Sequence, residues 1–179
     1  EAADLARKLG DDRRLARALV FIASSVWVTG DALEARELAR STLVIAEALA
    51  DRTLTFMANY TLAVVGFLLG DHNEAEAAFG KVLQVLEGAS PRDRSGVPGF
   101  PRATAHGFLA WVRGDQGRFE EGIAQGLDGL RVADASGRPF SVTWACFGLA
   151  NLYGIQGKHA EALRLLDRAI TVSRAADLG

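Results

Sequence analysis

Apolar residues recur along this chain at intervals of three and four, the spacing that gathers them on one side of a helix. Strict alternation, the signature of a half-buried strand, is not the pattern. The helical runs are interrupted at a regular set of turn signals. Gly30-Asp31, Gly70-Asp71, Gly117-Arg118 and Gly157-Lys158 stand 40, 47 and 40 residues apart. Seven residues before each glycine is an alanine (Ala23, Ala63, Ala110, Ala150), and each alanine follows Ile22, Leu62, Leu109 or Leu149. Five residues after each glycine a small residue returns: Ala35, Ala75, Gly122 and Ala162. Four columns that agree in four copies define an internal repeat.

The columns have a physical reading. The glycine ends a first helix, where a left-handed residue is wanted. Asp31 with Glu34, and Asp71 with Glu74, have the spacing of capping boxes that open a second helix. The small residues let the two helices approach closely. Each repeat is therefore a helix hairpin, and hairpins must stack to bury a continuous core. The predicted helices are 1–9, 12–29 with 32–49, 52–69 with 72–87, 102–116 with 119–135, and 140–156 with 159–175. The fold class is all-α: a superhelical solenoid of four long hairpins plus a leading helix. It is read as one repeat domain over 1–179, with repeats at 11–49, 51–88, 99–136 and 138–176. The insertion 88–101 holds three prolines and is expected to be a surface loop. The chain opens on Glu1 inside a helical run, as a segment excised from a longer protein would.

Composition narrows the function. Twenty Lys+Arg against 22 Asp+Glu give a net charge of −2, which removes the bulk electrostatic drive of nucleic-acid binders. The apolar stretches 18–28 and 61–69 are shorter than the ~20 residues a membrane helix needs. No signal peptide is visible, so a cytoplasmic location is expected, with no nucleic-acid and no membrane partner. One cysteine excludes an internal disulfide framework.

Candidate chemistry is sparse. There is no Gly-Lys-Ser/Thr phosphate loop and no His-Glu-x-x-His motif. His72, His106 and His159 have no ligand spacing, so no metal and no cofactor is expected. Cys146 reads as a small buried hydrophobe, and Glu120-Glu121 as acidic residues favouring a helix N-terminus. Arg113-Gly114-Asp115 ends a helix and carries no functional weight. The clusters Arg13-Arg14 and Arg92 with Arg94 adjoin aspartates and read as solvated charge. No convergent acid, base, nucleophile or metal set exists, and the chain is read as non-enzymatic.

The fourth copy, from Trp144 to Ala169, resembles a tetratricopeptide repeat at Leu149-Ala150, Gly157, Ala162, Leu166 and Ala169. The period of 40 exceeds that family's usual 34, and the expected aromatic after the turn survives only as Phe119, with Ala32, His72 and His159 in its place. The phrases Ile45–Asp51, Leu109-Ala-Trp111, Gly117–Ala124 and Arg138–Ser141 are similar to the repeat region of bacterial signalling proteins in which a class III adenylate or guanylate cyclase and an ATPase precede the repeats. Similar repeats follow the ATPase of large transcriptional regulators. The resemblance implies a protein-interaction or regulatory module whose partner is a peptide segment or a domain of its own parent chain. The alternative it implies is a small-molecule effector domain of an ATPase-linked regulator, with Trp111, Trp144 and Asn151 around a cavity.

In tetratricopeptide folds the first helix of each pair lines a concave face. By alignment on the Leu-Ala column, that face would carry Arg17, Val20, Ser24 and Trp27; Met57, Tyr60, Val64 and Phe67; Thr104, Gly107 and Trp111; and Trp144, Phe147 and Asn151. All three tryptophans fall on it, the composition of an interaction hot spot. The same stripe could equally be core covered by neighbouring helices, or be buried against a second copy as a homo-oligomer.

Overall fold

The computed structural model describes residues 1–87 and 100–178. These form nine α-helices and no strand: α1 Ala2–Leu9, α2 Asp12–Thr29, α3 Ala32–Ala48, α4 Arg52–Leu68, α5 His72–Val85, α6 Pro101–Asp115, α7 Phe119–Ser136, α8 Pro139–Ile155 and α9 His159–Ala175. Each predicted helix ends within two residues of its observed position. The expected loop at 88–101 lies outside the described residues, apart from Phe100 and Pro101. Phe100 caps α6, and Pro101 occupies its first turn, where a missing N–H costs nothing.

The turns follow from local chemistry. Gly30, Gly70, Gly117 and Gly157 have φ of 107°, 74°, 77° and 74°, the left-handed region that glycine enters without strain. At each, the next N–H reaches back to a carbonyl of the preceding helix, as Asp71 N does to Gly66 O at 2.8 Å. Helices α2 to α5 then open alike. Asp11, Asp31, Asp51 and Asp71 accept from the N–H of Arg14, Glu34, Leu54 and Glu74 at 2.9–3.1 Å. Each such cap stabilises by about 1 kcal/mol. Glu74 uses its side chain elsewhere, pairing with Arg40 at 2.6 Å and Arg36 at 3.7 Å.

The chain divides into two compact units, Glu1–Val85 and Leu86–Gly179. In the first, α2 pairs with α3 and α4 with α5; α3 packs on α4, and α1 leads onto α2. Ala16, Ala46 and Leu54 form a buried cluster there, and Val20, Val65, Phe79 and Val82 are fully enclosed. In the second, α6 pairs with α7 and α8 with α9, and α8 packs on both helices of the preceding hairpin. Its core joins Phe100, Ala103, Ala133, Val142, Ala145, Cys146 and Ala169. The buried Ser141 hydroxyl accepts from Phe100 N at 2.7 Å, tying the start of α6 to α8.

The repeat columns are the contact surfaces of the hairpins. Ala23, Ala63 and Ala110 are wholly buried, and Ala150 nearly so. Opposite Ala110 stands Gly122, where an added Cβ would lie 2.8 Å from the Ala110 carbonyl oxygen and 2.9 Å from Leu152 Cδ2. Gly126 and Gly129 continue that face of α7, each with a side chain under 3.0 Å from where its Cβ would be. Gly80, inside α5, has nothing within 4 Å of its Cβ position.

Two glycine substitutions should therefore act with opposite sign. Gly122→Ala forces a methyl into a backbone oxygen and is expected to cost about 1–3 kcal/mol. Gly80→Ala fills open space in a helix interior and should stabilise by about 0.5–1 kcal/mol. Urea unfolding of the two variants beside the parent checks both; equal effects would contradict the packing described.

Candidate functional site

The most distinctive surface of the second unit is aromatic. Helix α6 carries Phe108 and Trp111, and α8 carries Phe140, Trp144 and Phe147. Positions 140, 144 and 147 are spaced four and three apart, so they form one stripe on α8. The stripe meets α6 where glycine stands on both helices. A Cβ on Gly107 would lie 3.4 Å from Trp144 Nε1, and one on Gly148 would lie 3.7 Å from Gly107 Cα. With no side chain between them, the rings of the two helices reach one another. Phe108 and Trp144 have centroids 5.3 Å apart, Trp111 and Phe147 5.5 Å, and Trp111 and Trp144 5.7 Å. Phe140 lies parallel to Trp144 at 6.5 Å.

This cluster is held but not enclosed. Trp111 Nε1 donates to the Gly148 carbonyl at 2.9 Å, which fixes the indole and satisfies its one polar group. Phe108, Trp111 and Trp144 are half-buried. Phe140 keeps 38% of its surface exposed and Phe147 43%. Aromatic pairs contribute about 0.5–1.5 kcal/mol each beyond their burial, which accounts for the inner rings. It gives no reason for two phenylalanines at the rim.

The residues expected on the first-helix face fall into three groups. Val20, Val64, Thr104 and Gly107 are buried. Arg17, Phe147 and Asn151 are exposed. Ser24, Trp27, Met57, Tyr60, Phe67, Trp111 and Trp144 are half-buried. Trp111, Trp144 and Phe147 are brought together. In the first unit, Tyr60 turns toward Phe56 at 5.9 Å and Phe79 at 6.3 Å, two core rings. Ser24 donates to the Val20 carbonyl of its own helix. Phe108 and Phe140 were not on the expected face, although the 140/144/147 spacing carries the signal for Phe140.

A second, polar cluster lies between α6 and α7. Arg113 Nη1 donates to Gln125 Oε1 at 2.9 Å. The Gln125 amide nitrogen in turn donates to His106 Nδ1. His106 is 8% exposed. Burial, helped by the charges of Arg102, Arg113 and Arg131 against Asp128, lowers its pKa to about 4.

The remaining candidates have structural partners. The Cys146 thiol is buried, and burial pushes its pKa up, which suits packing and not attack. Glu121 takes a hydrogen bond from Arg118, which lowers its pKa and closes the first turn of α7. No group of three or more His, Cys, Asp or Glu among the described residues could hold a metal ion. No helix among them is long and apolar enough to cross a membrane.

Comparison with known proteins agrees with this architecture. Residues 148–176 match the model of the tetratricopeptide repeat. The chain is similar in structure to BtubC (BKLC) from P. vanneervenii, with a TM-score of 0.74 at 17% identity over 99% of this chain and 78% of that one. It is similar to a Podosopora anserina protein of nearly identical TPR-like repeats, named as a kinesin light chain, with a TM-score of 0.68 at 17% identity over 97% and 92%. It is also similar to Rap protein complexed with Competence and Sporulation Factor, with a TM-score of 0.69 at 15% identity over 97% of this chain and 56% of that one. No curated protein matches. The class is thus an all-α, TPR-like helical-repeat protein, whose last hairpin carries the repeat's own sequence pattern.

The buried imidazole leaves a pH signature. His106 titrates near 4 when folded and near 6.5 when unfolded, so between these values the unfolded chain binds more protons. Its contribution is complete above about pH 6.5 and is lost as pH falls toward 4. Denaturation midpoints of the parent should drop across that window more steeply than those of His106→Gln; parallel curves would mean the ring is not held neutral.

Proposed function

We propose that this chain is a non-enzymatic interaction module that binds an apolar or amphipathic protein segment on the aromatic face of α6 and α8. One observation carries the reading: five rings gather at the α6–α8 contact, with Phe140 and Phe147 left 38% and 43% exposed at its edge. Half-buried aromatics around a rigid centre are the anatomy of a binding hot spot, and a bound side chain would complete the rim. The TPR-like fold is a general protein-interaction scaffold and generally non-catalytic, which supports the class. A structural neighbour, Rap, was solved with a bound factor, and that precedent supports recognition by such a fold.

The finer assignments are part of the same proposal. The module serves a bacterial signalling protein of the cyclase–ATPase type, in the cytoplasm, and its partner segment belongs to another protein or to the parent chain. Arg17, Ser24, Trp27, Met57, Tyr60 and Phe67 are the first unit's candidate contacts, and Asn151 extends the second unit's face. A small-molecule pocket among Trp111, Trp144 and Asn151 is the weaker reading, because the two indoles pack on one another at 5.7 Å.

Selection of linear peptides from a displayed random library, followed by tryptophan-fluorescence titration, tests the proposal. Enriched peptides should be rich in large apolar residues. Phe140→Ala with Phe147→Ala should weaken them at least tenfold while the melting temperature shifts by only a few degrees. Trp111→Ala, by contrast, should destabilise the unit clearly, because it removes ring packing and the hydrogen bond to the Gly148 carbonyl. Peptides that bind the double variant as tightly as the parent, or no enrichment at all, would sink the reading.

A further inference from the structure

Helices α6 and α7 also border an open pocket of different chemistry. A cavity of about 380 Å³ is lined by Arg102, His106, Asp128, Arg131, Val132 and Ala135. The repeats differ at the two inner positions: Leu15 and Leu19 in α2, Thr55 and Asn59 in α4, and an apolar pair in α8. Matching Gly117 to Gly157 places Arg102 and His106 where α8 has Val142 and Cys146, and those two sit in the apolar core of the unit. Arginine and histidine have replaced core positions.

The donors around the cavity can be assigned. Arg113 only donates, so the Gln125 oxygen must face it, and the Gln125 amide must face His106. His106 Nδ1 is then the acceptor, and a neutral ring carries its proton on Nε2. That leaves an N–H donor that Gln125 does not use. Arg102 Nε is buried without a hydrogen-bond partner, a costly state for a guanidinium. Arg131 lies 78% exposed at the cavity mouth, in an ion pair with Asp128. Asp128 is the one carboxylate of the lining, against two guanidinium groups. Donors exceed acceptors, and the lining carries net positive charge.

We propose that this cavity binds a small oxyanion, a phosphoryl or carboxylate group, through Arg102, Arg131 and His106 Nε2–H. The planar guanidinium of Arg102 supplies a fork for two oxygens. The imidazole supplies a third donor that stays neutral at physiological pH, so it does not compete with Arg102 for the charge. The cavity has room for the anion and several further atoms, so the group arrives as part of a larger molecule or side chain.

The test follows the His106 ring proton by NMR, assigned from its absence in His106→Gln. The full chain is titrated at pH 7 with inorganic phosphate in one arm and acetate in the other, at ionic strength held constant with chloride. A saturable shift is expected in at least one arm. Arg131→Gln, at an exposed position, should raise the apparent Kd several-fold. Arg102→Lys, which keeps the charge and removes the fork, should raise it about tenfold with the helical content unchanged. Saturation by phosphate with acetate silent identifies a phosphoryl ligand, and the converse identifies a carboxylate. No saturable shift in either arm, or shifts that both arginine variants leave intact, would overturn the proposal. None of these readings depends on the aromatic face, so failure here leaves peptide binding unaffected.

Discussion

Close approach of helix backbones is the constraint on which the rest of this molecule depends. Ala110 can face Gly122, and α6 can face α8 across Gly107 and Gly148, only because nothing larger than a methyl intervenes. The first contact closes a hairpin. The second sets how the next hairpin's leading helix lies on it. The first is the hard limit, because a Cβ on Gly122 would lie 2.8 Å from a backbone oxygen and no rotamer change relieves that; at Gly107 and Gly148 a Cβ would meet ordinary contacts of 3.4–3.7 Å. The large apolar residues then fill the space that these contacts leave, so the core is defined by where small residues stand.

The aromatic face is a product of the same constraint. Once Gly107 and Gly148 let the helices touch, side chains one turn away on either helix are driven together. Trp111 spans the contact and bonds to the Gly148 carbonyl, so it belongs to the fold as much as to the surface. Phe140 and Phe147 do not share that duty. Their exposed edges separate what a binding partner would use from what stability uses, and that separation makes the proposed interaction testable without unfolding the unit.

The fold was largely legible because its signals are local. A glycine at positive φ and an aspartate three residues before a free N–H act within one turn of chain, so Gly30-Asp31 and Gly70-Asp71 announce their structure without knowledge of the rest. The second unit is less plainly written. Its caps include Arg118, Arg138 and Lys158, none with a side-chain acceptor, so the turns are marked by their glycines and the column of small residues without an aspartate. The site was legible in part. Alignment on the Leu-Ala column brings Trp111, Trp144 and Phe147 to one face, but it overlooks Phe108, whose place is taken by Gly148 in the next copy. Burial was less accessible still. Val20 and Trp27 share an expected face, yet one is enclosed and the other half-open, because neighbouring helices decide exposure.

Helix α6 shows most clearly how one element can serve two purposes. Its fifteen residues meet α8 along Gly107, Phe108 and Trp111, and meet α7 along a side that includes Ala103, His106 and Ala110. The first side is aromatic. The second departs from the repeat by placing Arg102 and His106 where the following copy keeps Val142 and Cys146. An apolar pair packs at those positions in α8, and α4 has the polar, uncharged Thr55 and Asn59 there. A buried arginine N–H without a partner works against stability, and the surrounding core must offset that loss. Under the oxyanion proposal, an anion that accepts from the Arg102 N–H would recover that loss, so ligand and fold would be coupled at this one position.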